Sequence, residues 1–298
     1  MYKNIFFSSL IVIFASLLFV INDSIINYLS PRGIKFYHFV FYGTPGFLIV
    51  PIFLFFRGNL VEKIRSKNYF IPLFRGLLFA PLPFFGFIAL KNIPLPEYTT
   101  LILSIPIFSV IISFIFLKEK INLYIILVLI FGISGVIFVI KPSFLYFNYY
   151  YLLVLFSAFL LSIVNVIVNK YNNITSSLGF FIYGGIFPHL ISIIFFLFDP
   201  ILLNINDIYL ILISSIFVNL AIGLSTYAFQ ISSKFFASIS CLIYTQIFWS
   251  VLIGYFYFNE ILDKFSIIGA ILIIFCGIFS VFAQYKQINS NHKKGINK

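Results

Sequence analysis

The chain has 298 residues, of which 62% are hydrophobic and 9% charged. That leaves too little polar surface to clothe a soluble globule of this length, and it excludes a water-soluble enzyme or regulatory domain. The net charge of +11 would suggest a nucleic-acid partner in a soluble protein, but here the basic residues sort by side of a membrane, and no nucleic acid is expected.

Apolar runs of about 20 residues can cross a hydrocarbon core of about 30 Å as helices. They fall at about 5–29, 35–56, 69–90, 97–117, 121–140, 149–169, 178–198, 208–230, 236–257 and 264–285. The runs lack the alternation of a membrane β-barrel. The expected fold is therefore all-α and integral to the membrane, with ten transmembrane helices.

A polar side chain inside a span is costly and faces protein or a water-filled cavity, so its spacing shows which face looks inward. In the first span Ser9, Ser16, Asp23 and Asn27 share one stripe. Lys3 ahead of an apolar run imitates a signal peptide, but the run is longer than an h-region and no small-x-small site follows, so retention is expected. The second span carries Pro45 and Pro51, and the third Pro72, Pro81 and Pro83. Arg75 lies about one and a half turns from the cytoplasmic end of the third span, where its stem is expected to snorkel toward phosphates. Pro106 interrupts the fourth. Glu119 and Glu260 sit at helix-turn boundaries, where a carboxylate caps the next helix. A shared binding site cannot hold both.

The sixth span repeats the polar stripe with Ala158, Ser162, Asn165 and Asn169. His189, near the middle of the seventh, is the one imidazole at mid-depth. It is a candidate for substrate or proton, although a lone histidine is more often structural. In the eighth, Asn219, Gly223, Thr226 and Gln230 follow i, i+4, i+7, i+11. In the ninth, Ser238, Cys241, Thr245 and Trp249 form a stripe with Gln246 beside it. Tyr244, Gln246 and Trp249, facing Asn219 and Thr226, supply an aromatic wall and oriented hydrogen-bond partners for a substrate. Asp23 is the available counter-charge for a cationic group. Cys241 and Cys276 both lie in apolar runs, so neither a disulfide framework nor a metal cluster is expected.

With the N-terminus inside, thirteen Lys/Arg fall on the cytoplasmic side: Lys3, Arg57, Lys63, Arg65, Lys67, Lys118, Lys120, Lys170, Lys234, Lys286, Lys293, Lys294 and Lys298. Arg32, Lys35, Lys91, Lys141 and Lys264 fall opposite. The bias places both termini in the cytoplasm.

The spans come as one pattern written twice. Phe116-Leu117-Lys118-Glu119 pairs with Tyr257-Phe258-Asn259-Glu260 at an offset of 141, while Asp23, Asn27 and Gly135 pair with Asn165, Asn169 and Gly277 at 142. Residues 1–140 and 149–285 read as two five-helix repeats, with 286–298 a basic cytoplasmic tail. Five being odd, the second copy is inverted, the pattern of secondary transporters. No HExxH, GxSxG or P-loop occurs and the loops are too short for a catalytic domain. Neither an enzyme nor a cofactor is expected.

Two stretches carry a family likeness. One runs from Phe74-Arg75-Gly76-Leu77-Leu78 through Ala89-Leu90-Lys91, Ile93-Pro94 and Ser104-Ile105-Pro106 to Phe116-Leu117-Lys118-Glu119. The other runs from Tyr227-Ala228-Phe229 through Tyr244-Thr245-Gln246-Ile247-Phe248-Trp249 and Gly254-Tyr255 to Phe258-Asn259-Glu260. Together they resemble the two EamA-type repeats of the drug/metabolite transporter superfamily. The resemblance implies a ten-helix carrier with a central cavity lined by both halves, and it makes Arg75, Glu119 and Glu260 structural motif residues. Within the superfamily, the Arg-Gly-Leu-Leu segment, Asn22-Asp23 and Asn169-Lys170 most resemble bacterial S-adenosylmethionine uptake carriers. This chain departs from them with Asn165 and Gln246 at positions where those carriers are acidic. The implied activity is alternating-access transport of a small neutral, zwitterionic or cationic metabolite across the cell inner membrane, with a coupling ion or exchange substrate. The alternative is a non-transporting scaffold or channel subunit.

Overall fold

The structure, a computed structural model, describes residues 2–93, 95–118, 123–140, 148–232 and 235–258, and beyond them only 264, 267–268, 271–272, 275 and 279. Helices α1 (Tyr2–Leu29), α2 (Phe36–Phe56) and the short α3 (Leu60–Ile64) open the chain. Gly33 (φ 78) and Gly58 (φ 69) sit in left-handed turns after α1 and α2, a conformation open to glycine at no steric cost. The third span is two helices, α4 (Phe70–Phe79) and α5 (Leu82–Asn92), with the break at Ala80-Pro81. Proline removes a donor and its ring crowds the preceding turn. The fourth span is likewise α6 (Leu95–Ile102) and α7 (Ile105–Phe116), with Pro106 in the first turn of α7.

After α8 (Leu123–Ile140) come three long helices, α9 (Tyr149–Lys170), α10 (Ser177–Phe198) and α11 (Ile205–Ile231). Each starts at a side-chain cap: Asn148, Ser176 and Asn204 accept from the backbone N–H of Tyr150, Gly179 and Asn206. These caps satisfy donors that a helix leaves unpaired at its start. The ninth span runs α12 (Phe236–Ser240), a 3₁₀ turn at Cys241–Tyr244, and α13 (Thr245–Phe258).

Among the described residues, seven helical stretches are long and apolar enough to cross a membrane: Phe6–Arg32, Phe36–Phe56, Phe70–Asn92, Tyr149–Lys170, Ser177–Phe198, Ile205–Ile231 and Phe236–Tyr257. The chain is a multi-pass membrane protein. The fourth span contributes a shorter apolar helix, Ile105–Phe116, because the break at Leu103-Ser104 divides it, and the fifth contributes Leu123–Gly135. The tenth span lies largely outside the described residues, as do Glu119, Glu260, Cys276, Gly277 and the 286–298 tail.

The two halves of the chain interleave. Helix α1 packs along α11, α4 along α10, α7 along α9, and α2 against both α10 and α11. In lipid there is no hydrophobic drive between helices, so close packing of small residues takes its place. Ser215 on α11 fits against Gly43 and Gly46 of α2 and donates to the Gly43 carbonyl, and Gly76 of α4 lies on the Tyr183 carbonyl of α10.

Both ends of the bundle are tied across the halves. At one end Arg32 Nη1 meets Asp207 Oδ1 at 2.7 Å, Lys35 and Tyr37 both donate to the Asp199 carboxylate, and Tyr42 donates to the Ile201 carbonyl at 2.7 Å. At the other, Lys67 N–H donates to Ile174 O (2.9 Å), Thr175 to Arg65 O (3.0 Å), Ser176 to Lys63 O (2.6 Å) and Tyr183 to Ile64 O (3.1 Å). Gln230 closes the same end by donating to Asn172 O and Thr175 O at 2.8 and 2.7 Å.

Candidate functional site

A cavity of about 220 Å³ lies between the halves, walled by residues of α1, α2, α4, α5, α6, α7, α9, α10, α11 and the ninth span. Its apolar wall includes Phe19, Phe39, Phe79, Phe87 and Phe181, and its polar groups include Asp23, Arg75, Asn165, His189, Asn219, Thr226 and Gln246. Apolar walls with a few fixed polar groups are the usual make-up of a small-molecule site.

Asp23 lies six residues before the end of α1, about 9 Å below that end at 1.5 Å per residue. Asn22 positions it: the Asn22 amide donates to Asp23 Oδ1 (3.1 Å), while its oxygen accepts from Ser214 of α11 (2.8 Å). The carboxylate is thus anchored to the second half of the chain. Arg75 lies five residues into α4, about 8 Å from the opposite end. Its side chain is 2% exposed. The snorkelling expectation is therefore overturned: Leu73, Phe74 and Leu77 take the lipid side of α4, and Arg75 points into the bundle. There Nη1 donates to Phe180 O at 2.7 Å and Nη2 to Thr226 Oγ1 at 3.5 Å.

His189 Nδ1 is 3.1 Å from Thr44 Oγ1, which itself donates to Val40 O, and the imidazole stacks on Phe47 with ring centroids 4.5 Å apart. Asn219 donates to the carbonyl and the hydroxyl of Ser215 (2.8 and 3.1 Å), which orients its amide toward α2 and the cavity.

The structure brings Asp23, Asn165, His189, Asn219, Thr226 and Gln246 to one cavity and leaves Tyr244 and Trp249 off it. Tyr244 is fully buried against Gly132 of α8 instead. At about 100° per residue Tyr244 lies about 200° from Gln246, on the far side of the span, and the 3₁₀ turn at Cys241–Tyr244 shifts the phase of α13 relative to α12 by about a further 80°. The ninth span therefore offers Ile243 and Gln246, not the expected stripe. Cys241 and Thr245 bond back to Ala237 O and Leu242 O.

The sixth span is also turned from its expected face. Ser157, Leu161 and Asn165 line the cavity, whereas Ser162 donates across to Ile105 O of α7 and Asn169 to Phe229 O and Ser232 Oγ beside α11. Gln230 serves the loop at the end of the bundle, as described above. Polar cavity residues outside the sequence's site candidates include Tyr98, Ser157, Ser215 and Ser225, together with Asn22, which the sequence marked only by family resemblance. Asn22 had the clearest signal, an amide next to an intramembrane acid.

Residues 3–141 match the EamA-like transporter family. The chain is 26% identical over 288 residues to the S-adenosylmethionine uptake transporter of Rickettsia conorii, covering 91% of both proteins. It is 25% identical over 289 residues to that of Rickettsia prowazekii, covering 92% of both. A solved crystal structure 15% identical in sequence superposes with a TM-score of 0.70 over 94% of this chain and 98% of its own, a likeness of fold. The chain is thus a multi-pass membrane protein whose first half is similar to the EamA-like transporter family and whose length is similar to that of the two Rickettsia transporters.

Proposed function

We propose that this protein is a secondary transporter that moves a small metabolite bearing a cationic group across the cell inner membrane, with S-adenosylmethionine the foremost candidate. Residues 1–140 and 149–285 act as two inverted five-helix bundles that rock about the cavity, with both termini and the basic 286–298 tail in the cytoplasm. A coupling ion or exchange substrate completes the cycle.

The observation that carries this reading is Asp23, the one carboxylate among the described residues on the cavity wall, fixed there by Asn22 and Ser214. A carboxylate in a low-dielectric cavity attracts a cation far more strongly than one in water. Three further features agree with it. The fourth and ninth spans both break, and position 103 plus the repeat offset of 141 falls at 244, inside the ninth-span turn. The relatives of matching length are named for S-adenosylmethionine uptake. The cavity, at about 220 Å³, is smaller than the roughly 300 Å³ from which small-molecule sites begin, so loading a nucleoside-sized substrate requires the halves to part.

The test is counterflow in proteoliposomes with labelled S-adenosylmethionine and a panel of unlabelled competitors. Saturable exchange is expected, with Asp23→Asn raising the apparent KM at least tenfold while leaving protein yield near normal, since a charge-assisted contact is worth about 1.5–3 kcal/mol. Well-folded protein that exchanges no member of the panel identifies a scaffold or channel subunit instead.

A further inference from the structure

We infer that Arg75 is the anion-binding group of this cavity and takes a carboxylate of the substrate, at the end opposite Asp23. This rests on the transport reading above and adds the second pole of the ligand.

Guanidinium presents five N–H donors in a fixed fork suited to carboxylate. Two of its hydrogen bonds are to neutral oxygens, Phe180 O and Thr226 Oγ1, and Nε has no acceptor among the described residues. Nor does any described carboxylate come within ion-pair distance: the salt bridges there are Arg32–Asp207 and Lys35–Asp199, both at an end of the bundle. The flanking rings, Phe79 and Phe180 at 5.7 and 5.9 Å from the guanidinium carbon, offer attraction to a cation but no charge. A charge buried at 2% exposure without a counter-charge is costly, and inside a membrane such a residue marks a ligand or ion path. Glycine at 184 keeps the guanidinium's place open, because a Cβ there would come within 2.5 Å of Nη1.

The two groups stand toward opposite ends of the cavity. Ser214, which holds Asn22 beside Asp23, and Thr226, which Arg75 reaches, are twelve residues apart on α11, about 18 Å at 1.5 Å per residue. The cavity thus offers a partner for each charge of a metabolite that bears both a cationic and an anionic group, and it leaves a simple cation or anion with one pole unmet.

The test compares S-adenosylmethionine with its decarboxylated form, which differs by that carboxylate alone, in proteoliposomes carrying wild type, Arg75→Gln or Arg75→Lys. Wild type should show an apparent KM about tenfold to a hundredfold higher for the decarboxylated compound. Arg75→Gln should handle both alike, at the KM wild type has for the decarboxylated one, and Arg75→Lys should regain part of the discrimination. A folded Arg75→Gln protein that still prefers the carboxylate overturns the inference. If wild type moves neither compound, the proposed substrate fails, and the anion site is decided separately by thermal stability of the detergent-solubilised protein. Stabilisation of wild type by methionine, citrate or inorganic phosphate that Arg75→Gln loses would sustain the site. Equal responses of the two proteins to all three would overturn it. Should Arg75→Gln fail to fold, Gly184→Ala, which displaces the guanidinium without removing it, replaces it in both arms.

Discussion

Alanine at Gly76 and at Gly184 tests the contact between α4 and α10 from both sides with the same chemical change. A Cβ at Gly76 would press on the backbone carbonyl of Tyr183, well inside the 3.0 Å that real Cβ contacts respect. A carbonyl in mid-helix cannot turn aside, so α4 and α10 must part by roughly half an ångström to one. Overpacking of this kind costs about 1–3 kcal/mol. Exchanging glycine for alanine in a helix returns about 1 kcal/mol. The balance is a loss of about 1 kcal/mol, equivalent to about 2–4 °C in Tm for a chain of this size. At Gly184 the first obstacle is the Nη1 of Arg75, the far end of a flexible side chain, which yields by a small rotation. Gly184→Ala should hold the wild-type Tm while weakening uptake. Fluorescence-detected size exclusion after heating measures both variants in detergent. A Gly76→Ala protein as stable as Gly184→Ala would refute the backbone contact as the limit on α4–α10 approach.

Gln246→Ala should leave insertion and yield near normal and weaken apparent affinity about fivefold, the effect of one net hydrogen bond of about 1 kcal/mol. Trp249→Ala, off the cavity wall, should lower thermal stability without changing KM, and the reverse pattern in paired uptake and melting measurements would exchange their roles. At the end of the bundle, the Lys35 ammonium hydrogen-bonded to Asp199 holds that carboxyl below the usual carboxylate range. A depressed folded pKa contributes stability above the unfolded value of about 3.9 and loses it as pH falls through the folded one. The Tm difference between wild type and Asp199→Asn should therefore be present at neutral pH and close below about pH 4. A cysteine at position 63 in a Cys-free background should stay unlabelled by impermeant reagent added outside intact cells. Labelling there would invert the topology.

The sequence was most legible where one residue type had one physical consequence. Intramembrane Asp23, His189 and Asn219 are polar groups with nowhere to go but the interior, and all three reach the cavity. Pro81 and Pro106 lie at the breaks in the third and fourth spans, whereas α2 runs unbroken through Pro45 and Pro51 and α10 through Pro188, so a proline alone does not fix where a span divides. It was least legible where the answer depended on helical phase. No proline or glycine marks the Cys241–Tyr244 turn, yet its rotation decides that Gln246 and not Trp249 faces inward. On the sixth span a rotation of one residue exchanged Ser162 for Ser157 and Leu161. Arg75 was misjudged from depth alone. Closeness to a membrane surface permits snorkelling, but Leu73, Phe74 and Leu77 already claim the lipid side of α4 and leave the arginine facing in.

The 63–67 segment divides two duties between two parts of the same residues. Its closure against the 174–183 segment uses main-chain groups throughout: the carbonyls of Lys63, Ile64 and Arg65 and the amide of Lys67. The side chains of its lysines and arginine take no part in that closure, and they carry part of the basic bias on which the proposed cytoplasmic placement of this end rests. Any non-proline residue supplies the same amide, and any residue the same carbonyl. The side chains of this loop can therefore drift in evolution, provided they stay basic, without loosening the latch, whereas at the opposite end, fastened by Arg32, Lys35, Asp199 and Asp207, each substitution alters the latch itself.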